Sequence, residues 1–359
     1  MKYSVIGAMA ALVATPALAG GIERSNQSMA ILFQEGRYLE FGASYAKPDV
    51  KGMTDATLGG LPTGNIANSF FTSSISYKAD LNDNWSYALI LDQPFGADTL
   101  YPGSALAGSL GKIDNVMLTG VMRYKFGNGF SAYAGLRSSW TSGEVSLPFL
   151  SGYTMSTNTD QAFGYLLGVA YEKPEIALRV ALTYNSKLRH KFAATENIGV
   201  APGPIPTTFR TNIPQSVNLE FQTGVAENTL AFGSIRWANW KDFEINPSFY
   251  DSLPQTQDPL VAYQKNSVTY TLGVGRRFNE NWSGSISVSH DTGNGNPTSN
   301  LGPTGKRNSI GIGASYTVDA MTISGGIQYS RIGSARTTLQ SNFDDNSAIG
   351  AGMRVGFSF

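Results

Sequence analysis

Side chains alternate between apolar and small or polar every second residue, connections alternate between short and long, and the last alternating segment ends on Phe359. Together these features predict an all-β fold, a closed transmembrane antiparallel β-barrel of about 14 strands. Ser347 to Phe359 shows the alternation most clearly. Ile349, Ala351, Met353, Val355, Phe357 and Phe359 fall on one face, and Ala348, Gly350, Gly352, Arg354, Gly356 and Ser358 on the other. The first face suits hydrocarbon and the second a polar lumen. Trp282 to Asp291 repeats the pattern, with Ile286 and Val288 against Ser283, Ser285, Ser287 and Ser289. Lys306 to Thr317 repeats it again, with Ile310, Ile312, Ala314 and Tyr316 against Ser309, Gly311, Gly313 and Ser315.

Fourteen segments of this kind lie near 38–46, 69–79, 85–95, 112–126, 130–146, 161–172, 176–189, 214–225, 229–245, 263–278, 282–292, 306–317, 321–333 and 347–359. Tight links such as Asn82-Asp83-Asn84, Gly127-Asn128-Gly129 and Asn279-Glu280-Asn281 alternate with loops of roughly 13 to 25 residues. An even strand count puts both termini on the periplasmic side. Trp85, Phe130, Trp140, Trp240, Trp282 and Phe359 stand near segment ends, where interfacial girdles form. A soluble β-sandwich would instead hide its apolar face and show water the polar one. It would leave the regular short and long connections unexplained.

The chain divides into an export signal over 1–19, a short N-terminal segment over 20–37 and the barrel over 38–359. Lys2, the apolar run from Val5 and the Ala17-Leu18-Ala19 cleavage site make the signal. No later apolar run approaches the ~20 residues of a spanning helix. Mean hydropathy is −0.13, a value shared by soluble proteins and by barrels whose strands give half their side chains to lipid and half to a polar lumen, so periodicity decides. Charged residues are only 14% of the chain, with 26 basic and 26 acidic, so no charge argument favours nucleic acid. There is no cysteine, which excludes disulfides and thiolate chemistry.

Several segments resemble the FadL/TodX family of outer-membrane transporters for long-chain fatty acids and hydrophobic compounds. They are Lys47-Pro48-Asp49-Val50-Lys51-Gly52, Asp92-Gln93-Pro94-Phe95-Gly96 followed by Thr99 and Tyr101, Pro214-Gln215-Ser216-Val217-Asn218-Leu219, and Ile235 to Phe243 with its two tryptophans. They run in the family's order across nearly the whole mature chain. The resemblance implies a barrel plugged by a short N-terminal hatch over 20–37, a ligand groove among the outer loops, a pocket inside the wall and a sideways exit beside a kinked third strand, here about Trp85 to Gly96. Pro94 cannot donate a ladder hydrogen bond, which suits a local gap or a plain strand end. The hatch departs from the family, because only Gly20 to Arg37 is available and Ser28-Met29-Ala30 replaces its Asn-Pro-Ala motif. Ser25 or Asn26 is placed to N-cap a short helix carrying Met29, Ile31, Leu32 and Phe33, stopped at Gly36. The alternative is a periplasmic tail.

Hydrophobic cargo needs a dry lining and a polar anchor. Met29, Leu32 and Phe33 of the hatch, Phe95 beside Pro94, and the loop aromatics Tyr101 and Phe149 are the candidate apolar contacts. Arg137 and Arg179 fall on lumen faces by alternation and are candidates for holding a carboxylate. His190, between Arg189 and Lys191, reads as part of a solvated or lipopolysaccharide-facing rim. Ser289, His290 and Asp291 are adjacent on one strand, so they point to opposite faces and form no catalytic triad. No cofactor, metal site or enzyme activity is expected. The leading function is passive uptake of fatty acids or other hydrophobic small molecules across the bacterial outer membrane. The alternatives are a general diffusion porin for small hydrophilic solutes and a structural or adhesive barrel. The expected partners are the hydrophobic ligand, outer-membrane lipid and lipopolysaccharide, and the barrel-assembly machinery, with the protein a monomer.

Overall fold

The structure, a computed structural model, describes residues 21–199, 203–256 and 258–359. The expected export signal over 1–19 lies outside the described residues. The wall is built from β1 (Tyr38–Asp49), β2 (Phe70–Asp80), β3 (Trp85–Asp92), β4 (Leu110–Gly127), β5 (Phe130–Leu147), β6 (Asp160–Lys173) and β7 (Leu178–Asn185). It continues through β8 (Ser216–Ala226), β9 (Thr229–Ala238), β10 (Ser267–Arg277), β11 (Trp282–Asp291), β12 (Arg307–Val318), β13 (Met321–Ile332) and β14 (Asn346–Ser358). Each pairs antiparallel with the next. β14 returns to β1, with Tyr38 opposite Ser358 and Asp49 opposite Ser347. Closure satisfies the backbone internally, which the bilayer interior demands.

All fourteen expected segments correspond to wall strands. Leu136, Phe163, Leu272, Ile286, Ile312 and Ile349 point outward and are each more than half exposed. On the inner face, hydroxyls pair across strands, as in Ser309 with Ser330 at 2.8 Å and Ser315 with Ser324 at 2.8 Å. This is the oil-outside, polar-inside arrangement of a membrane barrel.

Two of the tight links share one construction. Asn82 Oδ1 accepts from the backbone N–H groups of Asn84 and Trp85, and Asn279 Oδ1 accepts from those of Asn281 and Trp282. A short polar side chain thus replaces the missing ladder partner. Each turn delivers a tryptophan onto a tyrosine of the neighbouring strand, Trp85 on Tyr124 at 4.8 Å and Trp282 on Tyr316 at 4.9 Å between ring centroids. With Phe130 on Tyr171, these pairs form the girdle at the end that carries the termini.

Several of the expected boundaries run too far: 85–95 stops at Asp92, 263–278 starts at Ser267, and three others are more telling. The segment 229–245 stops at Ala238, and Trp240–Asp242 forms a 3-10 helix. Trp240 is therefore fully buried in an upper core instead of standing in a girdle. The segments 176–189 and 214–225 break at Ser186-Lys187 and at Pro214-Gln215, where proline cannot supply a ladder N–H. Beyond these breaks Leu188–Asn197 pairs with Ile205–Ile213 in a hairpin that rises above the wall. Tyr153–Thr157 ties the hairpin to the top of β5, with Glu144 opposite Ser156.

Candidate functional site

The N-terminal segment lies inside the barrel, tied to one half of the wall. Glu23 and Arg236 form an ion pair buried to within a few per cent, and Arg236 Nη1 also donates to Ser216 Oγ at 3.0 Å. Asn218 Nδ2 donates to Asn26 O at 2.8 Å, and the Glu220 carboxylate accepts from Ser28 Oγ and from Met29 N. Deeper in, Arg123 Nη1 donates to Leu32 O at 3.1 Å. Met29, Ile31 and Leu32 pack with Ile90, Val121, Tyr133 and Leu166. The helical stretch is a single 3-10 turn, Ala30–Phe33, and neither Ser25 nor Asn26 caps it. Ser28 Oγ accepts from Ala30 N at 3.1 Å instead.

Near its start the same segment fills a fault in the sheet. The β2–β3 ladder runs only from Ile75 opposite Leu91 to Asp80 opposite Ser86. β3 ends at Asp92, and after Pro94 the chain rejoins β4 alone through Ala97–Leu100. Phe70 to Ser74 are left without a strand on that side; Ser73 N donates to the side chain of Gln93 at 3.1 Å. A bridge between Ala67 and Thr99 closes this window from above. On the lumen side, Arg24 N donates to Pro94 O at 2.8 Å and Gly96 N donates to Ile22 O at 2.9 Å. The guanidinium of Arg24 stands over the Phe70 ring at 4.4 Å. A Cβ on Gly96 would meet that guanidinium at 2.5 Å, so any larger residue there would push the Arg24 side chain aside.

Two cavities flank this contact. The larger, about 490 Å³, runs between the N-terminal segment and β1, β2 and β10 to β14, and is lined by hydroxyls such as Ser44, Thr72, Thr271, Ser287, Ser289 and Ser309. The smaller, about 40 Å³, lies under the hairpin and is walled by Ile22, Phe95, Met155, Phe192, Phe209 and Phe243. It is hardly larger than the roughly 30 Å³ of one water molecule. A ligand can enter only if side chains yield, and Ile22 and Phe95 are the walls supplied by the N-terminal segment and the kinked strand.

His190 closes one side of the small pocket. Its Nδ1 is 2.9 Å from Asp160 Oδ2, and its Nε2 lies 3.3 Å from both Ser139 Oγ and Thr141 Oγ1. Burial lowers its pKa from the usual value, against the pull of Asp160, so the imidazole is neutral at pH 7. Asn115 Nδ2 donates to both hydroxyls at 2.8 Å. Thr211, opposite His190 in the hairpin, keeps an unpartnered buried Oγ1. In the same upper core, burial and Glu196 push the Tyr153 hydroxyl pKa up, and that hydroxyl donates to Glu196 Oε2 at 2.7 Å.

The structure distributes the residues singled out from sequence over several places. Phe95 walls the small pocket. Arg137 lines the large cavity, with its Nη2 held by Gln27 Oε1 and 3.0 Å from Met117 Sδ. Met117 belongs to the apolar cluster that contains Phe95, so Arg137 sits where oily and wet regions meet. Met29 and Phe33 line the large cavity, whereas Leu32 is fully packed. Arg179 stands over the Phe33 ring at 4.7 Å, close to the short-turn end. Tyr101 lies apart, in a loop core with Ile66, Leu106 and Phe343, and donates to Asn300 O at 2.6 Å. Phe149 is 44% exposed at a loop tip and reaches neither cavity. His290 is exposed and meets Asn308 outside, while Ser289 faces the lumen. His190 is not on a solvated rim, because the strand turns it inward between Arg189 and Lys191. Phe192 had a signal in the sequence, since His190, Phe192 and Ala194 alternate with Arg189, Lys191 and Ala193, whereas Phe243 follows a 3-10 turn and had none.

Comparison with known proteins gives the same architecture. The family model for outer membrane protein transport protein (OMPP1/FadL/TodX) matches residues 4–356. The long-chain fatty acid transport protein of Salmonella typhi is 23% identical over 318 residues, 76% of this chain and 72% of the relative. That of Escherichia coli K12 is 22% identical over 333 residues, with the same coverage. Among solved structures, a Pseudomonas aeruginosa FadL homologue superposes with a TM-score of 0.76 at 16% identity, covering 97% of this chain and 96% of that one. The Pseudomonas putida toluene transporter TodX gives a TM-score of 0.67 at 15% identity, covering 96% of each chain. A wall that faces lipid, a lumen partly filled by its own N-terminal segment and a family match over nearly the whole length agree: the chain is an outer-membrane β-barrel of the OMPP1/FadL/TodX family of transport proteins.

Proposed function

We propose that the protein takes up long-chain fatty acids or other hydrophobic small molecules across the outer membrane by passive diffusion, with exit through the side of the wall. The observation that carries this is the position of the apolar pocket. One of its walls, Phe95, belongs to the kinked segment that borders the window between β2 and β3, while the window's own edge, Thr72 to Ser74 and Gln93, lines the larger cavity of the lumen with its many hydroxyls. An oily solute loses its apolar contacts if it continues down that lumen, at roughly 25 cal/mol per Å² of surface re-exposed to water. The window leads instead toward hydrocarbon. The names of the relatives, fatty acid and toluene transporters, fit the same class of cargo.

Arg137 suits a carboxylate whose chain lies in the apolar cluster past Met117. The pocket itself offers no free cation, because Lys112 on its wall is paired with Asp114 at 3.0 Å. The Ser139, His190 and Asp160 contacts do not add catalysis to this reading. Ser139 is wholly buried, its oxygen accepts from Asn115, and Thr141 lies equally close to the imidazole.

The test is uptake into proteoliposomes. Labelled fatty acid and toluene should enter, whereas small sugars should enter slowly; rapid sugar swelling without hydrophobe uptake would reject the proposal. Arg137→Ala should weaken binding of carboxylated ligands more than of neutral hydrocarbons. Equal losses for both would remove Arg137 as an anchor.

A further inference from the structure

We propose that the outward face of the hairpin Leu188–Asn197 and Ile205–Ile213 is a binding site for phosphate groups of outer-leaflet lipid. Arg189, Lys191 and Arg210 all point outward and are exposed. Lys191 stands directly opposite Arg210 in the ladder, and like charges in that position repel. None of the three side chains has an ion pair, side-chain hydrogen bond or ring partner among the described residues. Nearby acids are engaged otherwise. Asp242 takes Lys187 at 2.5 Å, and Asp160 faces His190 and the backbone N–H of Lys191. Some exposed cations toward the loop end are paired, Lys51 with Asp49, Lys112 with Asp114 and Arg331 with Asp345, and others such as Lys47, Lys241 and Lys265 stand singly; the hairpin sets three on one face with two directly opposed.

Height decides the kind of anion. Asp160 is the first residue of β6, and its contacts fix Lys191 at the top of that strand. Just below on the outer surface lie Phe163, 70% exposed, and Tyr165, whose ring is 6.1 Å from that of Tyr184. Lipid-facing residues thus pass to aromatic ones and then to three cations, which is the order hydrocarbon, interface, headgroup. Cations at headgroup level attract anionic lipid. A repelling pair left without an acid is stabilised when a phosphate sits between its members.

The full chain is reconstituted into nanodiscs of phosphatidylcholine with or without phosphatidic acid, and retained phosphatidic acid is counted by native mass spectrometry. The wild type should enrich phosphatidic acid around itself. Arg189→Ser, Lys191→Ser and Arg210→Ser combined should reduce that enrichment by roughly a hundredfold, about fivefold per cation. Equal enrichment in the variant, or its complete loss to millimolar inorganic phosphate, would overturn the proposal. A single substitution gives a second reading that does not depend on lipid counting. Lys191→Thr should raise Tm in neutral detergent by relieving the repulsion, and lower it relative to wild type in phosphatidic acid nanodiscs. The same sign in both media would also overturn it. Hydrocarbon binding measured on the same samples reports separately on the transport proposal.

Discussion

The two halves of this barrel obey the same alternation and enclose opposite interiors. From β4 to β9 the inward positions carry Arg123, Tyr133, Arg137, Leu166, Glu220 and Arg236, long side chains that grip or pack the N-terminal segment. From β10 to β14 they carry mostly serine, threonine and glycine, and the lumen beside them stays open. A closed sheet therefore does not decide whether its lumen is filled. The size and charge of every second residue decide it, half by half.

The largest effect should come from breaking the grip. Removing one partner of a buried ion pair leaves the other charge uncompensated, which costs about 3–5 kcal/mol. Arg236→Ala should therefore release Glu23 and the segment behind it while the wall stays folded. Limited proteolysis would show cleavage between Gly21 and Arg37, and sugar permeation through the reconstituted barrel would rise. An unchanged cleavage pattern would mean that the Asn218, Glu220 and Arg123 contacts hold the segment by themselves.

Next in size is the apolar pocket. Phe209 packs against Phe192 with ring centroids 5.3 Å apart and forms part of the wall. Burying a phenylalanine side chain is worth about 1.5–3 kcal/mol. Phe209→Ala should weaken hydrocarbon binding about tenfold or more, measured by calorimetric titration in detergent. Stronger binding would show instead that closure of the small cavity, and not loss of contact area, limits affinity.

The wall was legible in the sequence because its signal is local. Period-two alternation at Ser347 to Phe359 needs no knowledge of any other strand, and the Asn-x-Asn-Trp turns announce themselves. The site was legible only in part. Phe95 and Arg137 could be placed from the kink and from alternation, but whether Arg137 meets a ligand or Gln27 depends on where a distant segment lies. His190 was misplaced because two flanking cations dominate its neighbourhood, although strict alternation already turns it to the other face. Tyr101 and Phe149 are apolar loop residues whose burial depends on how loops pack, and no strand period governs that.

The smallest expected effect separates the two halves most sharply. Ser287 lines the wet cavity, opposite Gly273 and Gly311 in its neighbouring strands. Ser287→Tyr adds a bulky side chain where there is space and a hydroxyl where there is water, far from the Phe95 pocket. Polar cavity space is lost, so any slow sugar permeation should fall further. Hydrocarbon affinity should change by less than about 0.5 kcal/mol, as for substitutions remote from packed or charged features, and the rate of hydrocarbon uptake should stay at the wild-type value. If hydrocarbon uptake drops together with sugar permeation, the oily cargo travels down the hydroxyl-lined side after all, and the window between β2 and β3 is not its exit.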